Sequence, residues 1–381
     1  MSKVKINPQI LKWSIARAGL DDRALRGAFP KLDLWLSNEQ SPTLNQLNKL
    51  SKKVRIPVGY FFLNEPPKEE LPYPFFRTHP GSKPIAPSPE LIDTVHLMQR
   101  RMNWMSEYLI ETGEDKLDFI GSAAIGDDPQ LIADSIRNVL GLDKSWAQEY
   151  GTWEHALRFL YHRIDEIGIN VVVNGIVGNN THRKLNPREF RGFVIVDDYA
   201  PILFVNNSDG KAAQMFTIAH ELAHLWFGES AIFDLEGLKP SEHQLELACD
   251  KVAAEFLVPE DELKEAWETV KDCEDCYQLL AKKFKVSEIV ITRRLLDLRL
   301  ITRSDFFEFY ENYLEELRDR RQETGGSFYR NQGMKIGDTF LQTVVRALGE
   351  ERLQYIEAFR LTSLYGATFD KYVNDKMESY I

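Results

Sequence analysis

One helix-length segment constrains this chain more than any other. Apolar residues recur at helical spacing from Lys211 to Gly228, and within that run stands Thr217-Ile-Ala-His220-Glu221-Leu-Ala-His224-Leu-Trp-Phe-Gly228. Residues four apart on a helix share a face one turn apart, so both imidazoles can reach one Zn²⁺, with Glu221 beside them as a general base. Phe216, Ala223 and Phe227 lie on the same face. Four imidazole nitrogens in so apolar a setting need several hydrogen-bond partners, and a metal removes that need. One Zn²⁺ per chain is expected.

A hydrolytic tetrahedral site takes a third protein ligand and leaves one position for water. A longer form of the motif would put another histidine at position 230, where Ser230 stands. The downstream candidates are Glu229, Glu236, Glu242, His243, Glu246, Asp250 and Glu255. Glu246 is preferred, because it shares a helical stripe with Cys249, Asp250, Ala253 and Leu257, and a carboxylate on a mostly apolar face wants a cation. Glu242 and His243, one turn earlier, stay open. Glu255 stands beside Lys251 on a polar face and reads as a solvated pair. Asp250 is placed to hold a ligand imidazole from behind. His182, Tyr199 and His243 are candidate donors to an oxyanion. The expected strand Ile202–Val205, just ahead of the helix, is read as offering an edge to an extended peptide.

Around this centre the chain divides by composition. Eight of its 17 prolines fall between Pro66 and Pro89, marking a connector laid across a surface. Before it, residues 1–64 carry eleven Lys and Arg against four acids, a surplus of seven that leaves −18 for the rest of a chain of net charge −11. That asymmetry points to a basic module joined to an acidic body. Punctuation at Pro8, Gly19, Pro30, Pro42 and Pro57 cuts the module into five short helices. Beyond Glu90 the spacing is helical to about Ile167. Three β-branched runs follow, at Ile169–Val173, Phe193–Val196 and Ile202–Val205, and then helices resume. The fold class is therefore α+β, mainly helical, with a small three-stranded sheet. The absence of a long apolar run or a signal-peptide pattern, together with three cysteines, suggests a cytoplasmic protein with no membrane partner. Cys273-x-x-Cys276 lacks the second pair of a zinc ribbon and reads as ordinary helix, and Arg293-Arg294 reads as a solvent-facing stretch.

Three segments resemble the ImmA/IrrE family of metallo-endopeptidases: the His220–His224 motif, Glu246-Leu-Ala-Cys-Asp-Lys-Val-Ala-Ala-Glu-Phe-Leu-Val-Pro259, and Val286-Ser287 followed by Arg293-Arg-Leu-Leu. The front end, with Ile10-Leu-Lys-Trp, Ala18-Gly19-Leu20, Pro42-Thr43-Leu44, Tyr60-Phe-Phe-Leu-x-Glu-Pro-Pro67 and Phe76-Arg-Thr78, resembles the XRE-type helix-turn-helix module often joined to that family. The resemblance implies a helix-turn-helix-like bundle over 1–64, a Pro-rich linker over 65–89, a gluzincin-like peptidase domain over 90–265 and a helical region over 266–381. It implies that His220, His224 and Glu246 hold zinc and that Glu221 is the base. It also implies a helix-turn-helix repressor or an antitoxin-like protein as substrate.

Residues 1–64 depart from the XRE pattern. Pro30–Gln40 is mostly apolar, with Lys31 its only base, where a recognition helix presents polar side chains to the major groove. DNA and a protein partner stand as alternatives for this module. The enzyme reading likewise has a rival, a non-proteolytic DNA-binding regulator or antitoxin that uses the same fold to hold a partner. Glu221→Gln separates the two, because only a hydrolase needs that carboxylate.

Overall fold

The computed structural model describes residues 3–69, 71–72, 75–77, 87–208, 211–234, 243–319 and 334–378. The chain forms two units, one of Met1–Leu71 with Pro87–Ile92 and one of Pro72–Ala86 with Asp93–Ile381.

In the first unit, helices α1 (Pro8–Ala18), α2 (Asp22–Ala28), α3 (Leu32–Leu36) and α4 (Leu44–Val54) are followed by a 3₁₀ turn at Val58–Phe62. The caps explain their limits. Asn7 accepts from the Gln9 amide ahead of Pro8, Gly19 ends α1 at φ 56°, and Thr43 and Gln46 form a reciprocal capping box on α4. Ile10, Leu11, Leu47, Leu50 and Phe61 are fully buried at the centre. Arg17 Nε lies 2.6 Å from Glu69 Oε2, with both side chains largely covered, so the start of the Pro-rich stretch is pinned to α1.

The second unit is built on a mixed sheet. Its strands are β1 (Phe75–Arg77), β2 (Asn170–Asn174), β3 (Gly192–Ile195), β4 (Ile202–Asn206) and β5 (Ala231–Asp234), in the order β1-β5-β3-β4-β2. The sheet thus has five strands among the described residues where the sequence pattern predicts three. Strand β1 arises inside the stretch read as a connector and runs parallel to β5. Strand β4 is bonded to β2 on one side and β3 on the other. The expectation that Ile202–Val205 presents an edge to a peptide is corrected accordingly, because its backbone groups are already paired.

Helix α5 (Pro89–Thr112) leads to α6 (Pro129–Leu140) and α7 (Trp153–Glu166). Helix α8 (Lys211–Phe227) follows β4, and α9 (Gln244–Leu257), α10 (Glu260–Val270), α11 (Cys276–Phe284), α12 (Glu288–Asp297) and α13 (Arg303–Asp319) complete this run. Helix α8 packs on β3 and β4, α9 lies along α8, and α6 packs on α9. The principal core joins Val194, Leu203 and Val205 of the sheet to Ile218, Leu222 and Leu225 of α8, Val252 and Phe256 of α9, and Leu280 and Ile291 of α11 and α12. A second core gathers Met105 and Tyr108 of α5 with Phe340, Leu341, Leu361 and Phe369 from α14 (Asp338–Gly349), α15 (Tyr355–Thr362) and α16 (Ala367–Glu378). No helix among the described residues is long and apolar enough to cross a membrane.

Candidate metal centre

The far end of α8 is held by the segment that precedes α6. Gly121 donates to the Leu225 carbonyl at 2.9 Å and Ala123 to that of Trp226 at 2.8 Å, which satisfies carbonyls the helix leaves open. Phe119 stacks on Trp226 with ring centres 4.8 Å apart. Gly228 (φ 71°) and Gly121 (φ 66°) meet so closely that a Cβ on Gly228 would lie 3.0 Å from Gly121 Cα. Glycine is required at that crossing.

Fixed in this way, α8 aims His220 and His224 at α9, with Glu221 beside them, and all three are fully buried. Helix α9 returns Glu246, also fully buried, together with Cys249 and Asp250. His220 Nε2 lies 3.2 Å from Glu246 Oε2 and 3.2 Å from His224 Nε2, and His224 Nε2 lies 3.4 Å from Glu246 Oε1. Behind the first imidazole, Asp250 Oδ1 sits 3.0 Å from Nδ1. A carboxylate there accepts the Nδ1 proton and turns the Nε2 lone pair toward His224 and Glu246.

Two imidazole nitrogens and a carboxylate so arranged repel one another unless positive charge lies among them. The protein alone supplies a proton. Burial would lower the His220 pKa, but its bonds to Asp250 and Glu246 outweigh that and raise it to about 10. Burial acts upward on Glu246 as well, yet the two histidines hold it down at about 2. His224 is lowered by burial and stays neutral. Glu221 is pushed up to about 8 by burial, and neither of its oxygens has a hydrogen-bond partner among the described residues.

A divalent cation fits this arrangement on two counts. Tetrahedral ligands about 2.0–2.2 Å from zinc stand roughly 3.3–3.6 Å apart, close to the separations found here. Both buried Glu221 oxygens also lack a hydrogen-bond partner among the described residues, and Glu246 Oε1 has only its 3.4 Å approach to His224 Nε2, which a cation would answer. His220, His224 and Glu246 are therefore the residues that could hold it, with Glu221 adjacent and Asp250 supporting.

The other candidates fall elsewhere. Glu229 is exposed beyond the end of α8, and His243 is exposed at the N-cap of α9. Glu236 and Glu242 lie outside the described residues. His182 is exposed in the loop after β2, and Tyr199 stands in the β3–β4 turn with Lys116 Nζ 5.7 Å from its ring. Glu255 is not the solvated partner of Lys251 that its helical position suggests. It is buried and bonded to Arg294, which is buried too, correcting the solvent-facing reading of that arginine. Arg137 binds the Glu255 carbonyl, so α6, α9 and α12 meet at this one residue.

Two residues at the centre escaped sequence reasoning. A Cβ on Gly192 would lie 3.0 Å from Glu221 Oε1, 2.9 Å from the Phe204 carbonyl oxygen and 2.7 Å from Thr217 Cγ2, so this glycine makes the room Glu221 occupies. The available signal was a glycine opening a β-branched run. Cys249 offers a sulfur that lies, with one nitrogen of each histidine, in a group of atoms all within 4.8 Å of one another. Burial, reinforced by the nearby Glu246, Asp250 and Glu221, pushes its thiol well up.

Residues 164–296 match the IrrE N-terminal-like domain, Peptidase_M78. The IrrE-like stretch contains β2–β5, α8–α11 and all of α12 but its last residue, and with them every residue of the centre. The match supports the ImmA/IrrE family and a metallopeptidase. Residues 336–375, which include α14 and α15, match a second family described only as a domain of unknown function. No curated protein matches the chain.

Proposed function

We propose that the chain is a zinc-dependent endopeptidase of narrow specificity, acting on a helix-turn-helix repressor or an antitoxin-like protein. The observation that carries this reading is the 3.2–3.4 Å approach of His220, His224 and Glu246, with the buried carboxylate of Glu221 on the histidines' own helix and without a hydrogen-bond partner among the described residues. Zinc held there would supply Lewis acidity, polarising a peptide carbonyl and acidifying water. The chain's own residues do the rest. Asp250 keeps the proton on His220 Nδ1, so that Nε2 remains a ligand. Glu221 takes a proton from the attacking water on one carboxylate oxygen and delivers it to the departing amine. Its raised proton affinity suits both halves of that exchange. Gly192 leaves the carboxylate space to turn between them.

The basic module of residues 1–64 is assigned to recruitment, of DNA or of the substrate protein. Binding to duplex DNA that weakens steeply with added salt would mark the first, and binding to the substrate alone the second. The decisive experiment is metal analysis of the wild type and of Glu221→Gln, with both incubated beside proteins from neighbouring genes. One zinc in each and cleavage by the wild type alone is the expected result. Cleavage by Glu221→Gln, or a wild type that takes up no metal, would remove the hydrolase reading.

A further inference from the structure

We propose that Cys249 is a fourth protein ligand of the same ion, able to close the site by occupying the position that water needs. The inference rests on the metal-site reading above and adds a residue to it.

Cys249 follows Glu246 by three residues, so both project from α9 on the side packed against α8. It is fully buried, and a sulfur and two imidazole nitrogens share a neighbourhood 4.8 Å across. An apolar residue would fill this core position equally well. A thiol instead has Glu246, Asp250 and Glu221 as charged neighbours, and the buried oxygens of Glu221 have no hydrogen-bond partner among the described residues. Those orphaned atoms call for a cation independently of the cysteine. Once a cation is there, sulfur is a further donor within reach of the two imidazoles.

The chemical consequence follows from ligand number. Two imidazoles and a carboxylate leave a tetrahedral ion one open position, whereas a thiolate added to them makes a four-donor set of the closed, structural kind. When sulfur binds, the S–H bond breaks, a sulfur–metal bond forms and the proton leaves to the buffer, with no oxidant required. The centre thus alternates between a latent form with Cys249 bound and a competent form with Cys249 released. A sulfur donor also biases the site toward Zn²⁺ and Co²⁺ over Mg²⁺ and Mn²⁺.

The test uses the full chain stripped by a chelator and titrated with Co²⁺ alone. A near-ultraviolet thiolate-to-cobalt charge-transfer band is expected alongside the visible bands of a four-coordinate ion. The ultraviolet band should vanish in Cys249→Ala, which still takes up one Co²⁺, and should persist in a Cys273→Ala/Cys276→Ala variant, where Cys249 is the sole thiol. That double variant keeps the test sharp even if Cys249→Ala fails to fold. Cobalt uptake with visible bands but no charge-transfer band overturns the role of Cys249 and leaves the His220–His224–Glu246 reading standing. Absence of any cobalt uptake by the wild type overturns both.

Discussion

Replacing Glu221 with glutamine should abolish cleavage and, in metal-free protein, make the chain more stable. The carboxylate is fully buried and its oxygens have no hydrogen-bond partner among the described residues. Its pKa rises from 4.5 to about 8 on folding, so the native chain binds the proton more tightly than the unfolded chain does. Stability therefore falls as pH climbs from the first value to the second. At pH 7, about 2.5 pH units above the unfolded value, the penalty is about 3 kcal/mol at roughly 1.4 kcal/mol per unit. Glutamine is neutral throughout. Its amide is also without partners, but so is the neutral acid, and that contribution largely cancels. Urea unfolding of the chelator-treated full chain, followed by tryptophan fluorescence, should show the two proteins equal near pH 4. The variant should be ahead by about 3 kcal/mol at pH 7. A difference that does not change over that range would refute the argument, since it would mean that Glu221 finds a partner or solvent. A functional carboxylate kept at a cost to stability is the pattern expected of a reacting group.

Other consequences can be measured in the same way. Glu255→Gln leaves Arg294 buried without its counter-charge and should cost about 3–5 kcal/mol in urea unfolding; a loss under about 1 kcal/mol would return the residue to the solvated class. Asp250→Ala frees His220 Nδ1 and should weaken zinc binding roughly 10- to 100-fold in competition with a chromogenic chelator, whereas unchanged affinity would remove its supporting role. Gly192→Ala forces a methyl against the Phe204 carbonyl and the Glu221 carboxylate. It should lower stability by about 1–3 kcal/mol and cleavage by more than its effect on folding explains; full activity would show that Glu221 needs no such space.

The helical spacing of 211–228 places α8 to within a residue, and the apolar stripe from Glu246 to Leu257 locates both α9 and the carboxylate that meets the two histidines. These elements are legible because each satisfies its backbone within itself and announces its buried face by period. Strands β1 and β5 are not. They pair with each other across more than 150 residues, and one lies among prolines that argue locally against any strand. Glu255 is misread for a related reason. Its neighbour on α9 is a lysine, but the charge that covers it arrives from α12, and a helical wheel sees only its own helix. Gly192 matters through what it lacks, so its role appears only when the side chain opposite is in place.

Strand β1 also sets a limit on how the chain can be shortened. Phe75–Arg77 is paired with β5, in the body that carries His220 and Glu246. Trimming the protein at the onset of α5 would strip β5 of its parallel neighbour. A bare row of amides and carbonyls would then be left to recruit a strand from another molecule. Such a truncation invites self-association, and insolubility of the resulting piece would report a lost strand, with no bearing on whether the centre can bind metal.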